Sequence, residues 1–209
     1  MLSTSTIRGI LETYKLANDE PLCERISVYT DLLLKWNRKV SLTSVEEPAE
    51  IVRYHFAESF LGAKVAGIRE GRLADLGTGA GFPGLALKLY VPTLKVTLIE
   101  SNAKKCAFLA EIVRMLELAD VEIIRSRFEE IEPTGKFDFV ASRAIGEIPE
   151  FLAWAARSAR AEGKAILWVG PEGVQKAISA TENWIWGSPQ PIPLTKRRFI
   201  LVGTRQLDR

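Results

Sequence analysis

The chain has 209 residues, 28 of them Lys or Arg and 26 Asp or Glu, for a formal net charge of +2. With 26% charged and 47% apolar residues, it has the make-up of an ordinary globular protein and not of a disordered or fibrous one. No apolar run nears the roughly 18 residues of a membrane span. The first residues lack the basic and apolar stretches of a signal peptide, so none is expected. Two distant cysteines, Cys23 and Cys106, exclude a disulfide framework and a cysteine-pair zinc site, and a reducing, cytoplasmic setting is expected.

Ile7, Ile10, Leu11 and Tyr14 mark one face of a short first helix. Leu22, Ile26, Tyr29, Leu33, Trp36 and Val40 recur at alternating steps of four and three, one apolar stripe on a second helix. That helix is expected to end before 41–44, with Asn37 as a cap or turn residue. Pro48 suits the first turn of a third helix carrying Ile51, Val52, His55, Phe56, Ser59 and Phe60 on one side. Residues 62–71 read as a connection. Residues 1–67 therefore form a helical segment that buries too little by itself and is expected to pack on the rest of the chain.

Over 68–209 the pattern changes to alternating strand and helix. Strands are predicted at 73–77, 95–100, 121–125, 137–141, 164–169 and 198–203. Helices are predicted at 81–90, 103–118, 148–159 and 174–184. This alternation predicts the α/β class: a mostly parallel, Rossmann-like sheet with helices on both faces.

The first strand runs into Asp75-Leu-Gly77-Thr-Gly79-Ala-Gly81-Phe-Pro-Gly84. Glycines there allow positive φ and close approach of a ligand at the carboxyl end of the strand. Two cofactors compete for it. Gly79-Ala-Gly81-Phe-Pro-Gly84 fits the dinucleotide fingerprint, with Glu100 near the place of the ribose-binding acid. The frame starting at Asp75 is similar to the first motif of S-adenosylmethionine (SAM) dependent methyltransferases, which also puts an acid at the end of the second strand. Asp75 favours SAM, since a carboxylate there can serve the amino end of methionine, directly or through water, and is unwelcome beside a diphosphate. No Tyr in the chain is followed by Lys four positions on, as one catalytic pair of dehydrogenases requires.

An ordered set of marks then resembles one family: the bacterial small-subunit ribosomal RNA guanine-N7 methyltransferases, also called glucose-inhibited division protein B (GidB). The marks are Trp36-Asn37, Leu42-Thr43-Ser44-Val45, His55-x-x-Glu58-Ser59, the glycine motif with Gly-Phe-Pro-Gly, Glu100-Ser101, Lys104-Lys105, Arg127-x-Glu129 and Ser142-Arg143-Ala144. The resemblance implies a helical N-terminal segment on a Rossmann-like SAM-dependent methyltransferase domain. It implies methylation of guanine N7 in 16S ribosomal RNA, at the family's target guanine 527 in the decoding region, with an assembled small-subunit particle as the expected partner and a monomer as the enzyme. Cofactor contacts would fall on Gly77, Gly79, Gly81, Phe82, Glu100, Phe128, Glu129 and Arg143, and RNA contacts on Lys104, Lys105, Arg127 and Arg143. Arg143 would meet the methionine carboxylate or the substrate. Where the family has Arg before its histidine this chain has Tyr54, and where it has Lys at the end of the fifth strand this chain has Val169. A methyltransferase of small molecules or proteins, and a non-catalytic SAM-binding module, are the alternative functions.

No general base is expected, because guanine N7 carries a lone pair and no proton at neutral pH. The one histidine, His55, sits on an apolar helical face, where packing is the commoner use. One histidine and scattered acids make no metal site. Trp168, Trp184 and Trp186 read as packing residues before base-stacking ones.

Overall fold

The computed structural model describes all residues except 144, 145, 147, 181, 182, 196 and 207–209, so Ala144 of the Ser-Arg-Ala mark lies outside the described residues. The N-terminal part is built of helices joined by irregular segments: α1 (Thr4–Thr13), α2 (Glu20–Asn37), α3 (Pro48–Ile51), a π-helical stretch Val52–Ala57, and α4 (Glu58–Ala66). Each of the first three starts has its cap. Ser3 accepts from the Thr6 amide, Asp19 from Leu22 and Glu47 from Glu50, satisfying amides that have no partner within the helix. The first half of the predicted connection 62–71 is helix. α4 runs on until Gly67, whose left-handed φ of 69° closes it. The π turn has no signature in the sequence, because its apolar spacing also fits an ordinary helix.

The remaining elements are β1 (Arg72–Leu76), α5 (Gly84–Tyr90), β2 (Lys95–Ile99), α6 (Ala103–Met115), β3 (Val121–Ile124), a 3-10 turn Phe128–Glu130, β4 (Phe137–Ser142), α7 (Ile148–Ser158), β5 (Ala159–Val169), α8 (Pro171–Ser179), β6 (Trp184–Trp186), β7 (Gln190–Pro191) and β8 (Phe199–Arg205). The sheet order is β3-β2-β1-β4-β5-β8-β6, with β7 paired to β8. β1 to β5 are parallel, while β6, β7 and β5 pair antiparallel with β8. The order reverses between β1 and β4, and open α/β sheets bind ligands at the carboxyl ends beside such a point.

Alternate strand residues feed two cores. Leu73, Leu98, Phe139 and Ile166 pack with the N-terminal helices, α5 and α6. Ala74, Ile99, Val140 and Leu167 pack with α7 and Trp184. This two-residue period is that of strands buried on both faces.

Several boundaries differ from the sequence reading: β5 already starts at Ala159 and α6 stops at Met115, and two further differences have local physical reasons. Helix 81–90 starts only at Gly84, because Gly77, Gly79 and Gly81 all have positive φ. Helix 174–184 starts at Pro171, which suits a first helical turn, and stops at Ser179. Trp184-Ile-Trp186 is then a strand, with Trp184 buried and Ile185 exposed. No helix among the described residues is long and apolar enough to cross a membrane.

Candidate active site

β1 delivers the glycine turn to the carboxyl edge, and buried groups hold it there. The Gly77 and Thr78 amides donate to the Ile99 carbonyl at 2.9 and 3.2 Å. Glu100, at the end of β2, accepts from the Gly79 amide at 3.0 Å with one oxygen and from the Asn102 amide at 2.8 Å with the other. A carboxylate offers about four acceptor positions, so both oxygens keep capacity. Asp75 is wholly buried behind the turn, accepting from the Thr78 hydroxyl and, at 2.7 Å, from the Gly84 amide. Burial pushes its pKa up to about 7. Asp75 therefore shapes the turn, and its burial leaves no exposed edge for direct contact with a methionine amino group.

The four glycines divide by role. A Cβ on Gly77 would meet nothing within 4 Å, and one on Gly79 only the Gly77 carbonyl at 3.9 Å. A Cβ on Gly81 would fall 2.2 Å from the Tyr29 hydroxyl, and one on Gly84 would fall 2.8 Å from the Asp75 carboxylate. Gly77 and Gly79 therefore face open space, whereas Gly81 and Gly84 allow close packing.

Two cavities meet at this turn. One, of about 210 Å³, is lined by Gly77, Glu100, Ser126, Arg127, Phe128 and Glu129. The other, of about 370 Å³, is lined by Thr43, His55, Gly77, Phe82, Lys105 and Arg143, among others. Gly77 lines both. Of the residues singled out in the sequence, Gly81 lines neither cavity, and Lys104 is exposed on the first turn of α6 beside them. A further cavity of about 270 Å³ lies at the amino ends of the strands, between Arg72, Lys95, Val121 and Phe137. That edge is opposite to the one where such sheets bind ligands.

Arg143 leaves the end of β4 and reaches the π-helical stretch. Its guanidinium donates to the carbonyls of Tyr54 and His55, to the Ser59 hydroxyl and, at 2.9 Å, to the Glu58 carboxylate. Glu58 is buried, also pairs with Arg198, and is charge-compensated from both sides. Arg198 lies 4.8 Å over the Tyr54 ring, so Tyr54 supports this cluster with both its carbonyl and its ring. The sequence reading turned Arg143 toward cofactor or substrate. In the fold it fastens the histidine-bearing stretch to the sheet while bordering the larger cavity.

His55 stacks on Phe82 with centroids 4.7 Å apart, and its Nε2 lies 2.9 Å from the Thr43 hydroxyl. Burial, then Arg143 and Arg198, pushes its pKa down to about 3, so the ring is neutral. Asn37 is a turn residue, as its position suggested. Its side chain accepts from the Leu42 and Thr43 amides and donates to the Thr43 carbonyl, setting Thr43 opposite His55. Trp168 and Trp184 are packing residues, donating to the Glu58 and Leu152 carbonyls. Sequence reasoning assigned no role to Thr43 or Tyr29. Thr43 sits in a short irregular segment, and Tyr29 reads like any other member of an apolar helix stripe.

Residues 22–188 match the family described as rRNA small subunit methyltransferase G, GidB. The chain belongs to the GidB family. A ribosomal RNA small subunit methyltransferase G from Mycoplasma capricolum is 38% identical over 159 residues, covering 76% of this chain and 69% of the relative. One from Xylella fastidiosa is 32% identical, covering 86% of this chain and 82% of the relative. The sheet is also similar to that of a SAM dependent methyltransferase from Aquifex aeolicus, with a TM-score of 0.61 and 22% identity over 76% of this chain and 94% of that one. Membership in GidB decides between the two cofactor frames: the glycine turn is that of a methyltransferase, and the dinucleotide reading is set aside. Among the described residues, no three His, Cys, Asp or Glu side chains group as a metal site.

Proposed function

We propose that this GidB protein transfers a methyl group from SAM to N7 of a guanine in 16S ribosomal RNA, acting as a cytoplasmic monomer on the small-subunit particle. The observation that carries the reading is Gly77, an open left-handed glycine that borders both cavities. The residues present fit the cofactor. Gly77 and Gly79 leave backbone exposed for close approach, Glu100 stands at the end of β2 for the ribose hydroxyls, and Phe128 and Glu129 border the smaller cavity where an adenine needs an apolar wall and polar edge partners. Taken together, the two cavities that share Gly77 reach the range of roughly 300–1,000 Å³ common for small-molecule sites.

When bound there, SAM supplies an electrophilic methyl carbon on its sulfonium. The chain's part is to aim and to exclude water. The turn between β1 and α5 fixes the direction of approach, and Leu42 and Phe82 form apolar walls of the larger cavity. Guanine N7 attacks with its own lone pair, and no residue has to remove a proton. The neutral His55 agrees with this. Lys105 borders the larger cavity and Arg127 the smaller, with Lys104 exposed nearby, and these cations suit the phosphates of an RNA held over the opening. Titration calorimetry tests the cofactor: SAM and its demethylated product should bind, and binding of NAD without SAM would contradict the reading.

A further inference from the structure

Phe82 stands between two other rings. Tyr29 stacks on it at 5.4 Å and His55 at 4.7 Å, each with an interplanar angle of 23°. The column begins deep in the core, where Tyr29 is fully buried, and ends at a half-buried imidazole in the wall of the larger cavity. His55 is held from several sides. Phe82 covers one face and Thr43 engages its Nε2 edge, while Arg143 and Ser59 hold its carbonyl. Asn37 in turn holds Thr43 and its neighbour Leu42 by three hydrogen bonds.

We propose that the cavity bounded by Thr43, His55, Gly77 and Lys105 is a purine-base pocket in which the target guanine, turned out of its RNA stack, packs against the imidazole of His55 as the next ring of the column. The inference rests on the function proposed above and adds the residue that receives the base. Enzymes acting on a base inside folded nucleic acid commonly extrude it into a pocket and hold it by stacking. The cavity has the volume for one base, and it shares Gly77 with the smaller cavity, so a base on His55 would lie on the same turn as the cofactor. Lys105 and Arg143 also border the cavity, so charge favours only the stacking face of His55. Methylation at N7 leaves a cationic purine, which a protonated imidazole would repel. The neutral ring, backed by Phe82 and Tyr29, instead offers a π face that attracts a cation.

The test compares His55→Phe, His55→Leu and Thr43→Val with the wild-type chain, using small ribosomal subunits that lack the modification. Each variant is measured for thermal unfolding, SAM affinity and kcat/KM for RNA. Phe keeps a stacking face, whereas Leu fills similar space without one. The expected result is kcat/KM within about threefold of wild type for Phe and a loss of roughly 10- to 100-fold for Leu, the worth of one base–aromatic stack, with SAM affinity unchanged in both. Thr43→Val keeps the ring but frees its edge, and should lower kcat/KM by about two- to tenfold, the worth of one hydrogen bond. Leu as active as Phe would overturn the pocket alone, since the ring would then only fill space. Parallel loss of SAM affinity in the Phe and Leu variants would also overturn it, making His55 part of the cofactor site. A wild-type chain that leaves the RNA unmethylated would overturn the underlying function and the guanine with it.

Discussion

The Tyr29 hydroxyl donates to the Ala80 carbonyl at 2.7 Å, so the middle of α2 holds the crest of the glycine turn. Both groups are buried, and Tyr29→Phe leaves the carbonyl without its partner. We expect this variant to lose about 1–3 kcal/mol of stability in urea unfolding and to bind SAM more weakly. Unchanged stability and affinity would mean that α2 does not support the turn.

The two kinds of glycine separate folding from binding. Gly81→Ala drives a Cβ into the Tyr29 hydroxyl at a φ of +86°, and should destabilise the fold by about 1–3 kcal/mol. Gly79 has open space beside it, but its φ of +58° is a rare conformation for a β-branched residue. Gly79→Val should therefore abolish SAM binding while unfolding closer to wild type than Gly81→Ala does. Calorimetry and unfolding of the two variants side by side check this. A Gly79→Val protein that binds SAM normally would move the cofactor away from the turn.

His55 and Asp75 make stability depend on pH in opposite directions. The His55 pKa falls from the ordinary 6.5 to about 3 in the fold, so below pH 6.5 the unfolded chain takes up the proton first. Its contribution is complete above pH 6.5 and is lost as pH falls toward 3. The Asp75 pKa rises from 3.8 to about 7, so its contribution is complete below pH 3.8 and is lost as pH rises through 7. Relative to wild type, His55→Gln should gain roughly 2 kcal/mol between pH 8 and pH 5. Asp75→Asn should gain in the opposite direction, from pH 5 to pH 8. Urea unfolding at both pH values measures each difference. Differences that do not change with pH would show that neither group is perturbed as described.

Lys104 and Lys105 carry the RNA-contact prediction. Neither has an ion pair among the described residues, and the Asn102 side chain caps their helix at its start. Replacing both by Ala should weaken RNA binding and lower the slope of log affinity against log salt by about 1.4, while SAM affinity stays the same. An unchanged slope would place the RNA elsewhere on the surface.

Much of the fold was legible because β1, β2 and β4 are buried on both faces and the glycine turn follows β1 directly. The last strands were harder to read. β6 and β7 are three and two residues long, too short for a periodic signal, and nothing local in β8 marks it as antiparallel to β5. The residues that line the two cavities were legible at Gly77, Gly79, Glu100, Phe128 and Glu129, which lie in local motifs past strand ends. Arg143 and Asp75 stood out in the sequence, but what they contact did not. Their partners, Glu58 and the Tyr54 carbonyl for one and the Gly84 amide for the other, come from segments that meet only in the folded chain. The Tyr29–Phe82–His55 column was not legible, since its rings come from α2, the glycine turn and the π-helical stretch.

The most direct measurement incubates the purified protein with methyl-labelled SAM and small ribosomal subunits lacking the modification, with digestion of the 16S RNA to nucleosides and mapping of the label. Label is expected in 7-methylguanosine at one position, and it should disappear with Gly79→Val. Label in any other nucleoside or in ribosomal protein, or no transfer by a protein that binds SAM, would contradict methylation of guanine N7 by this chain.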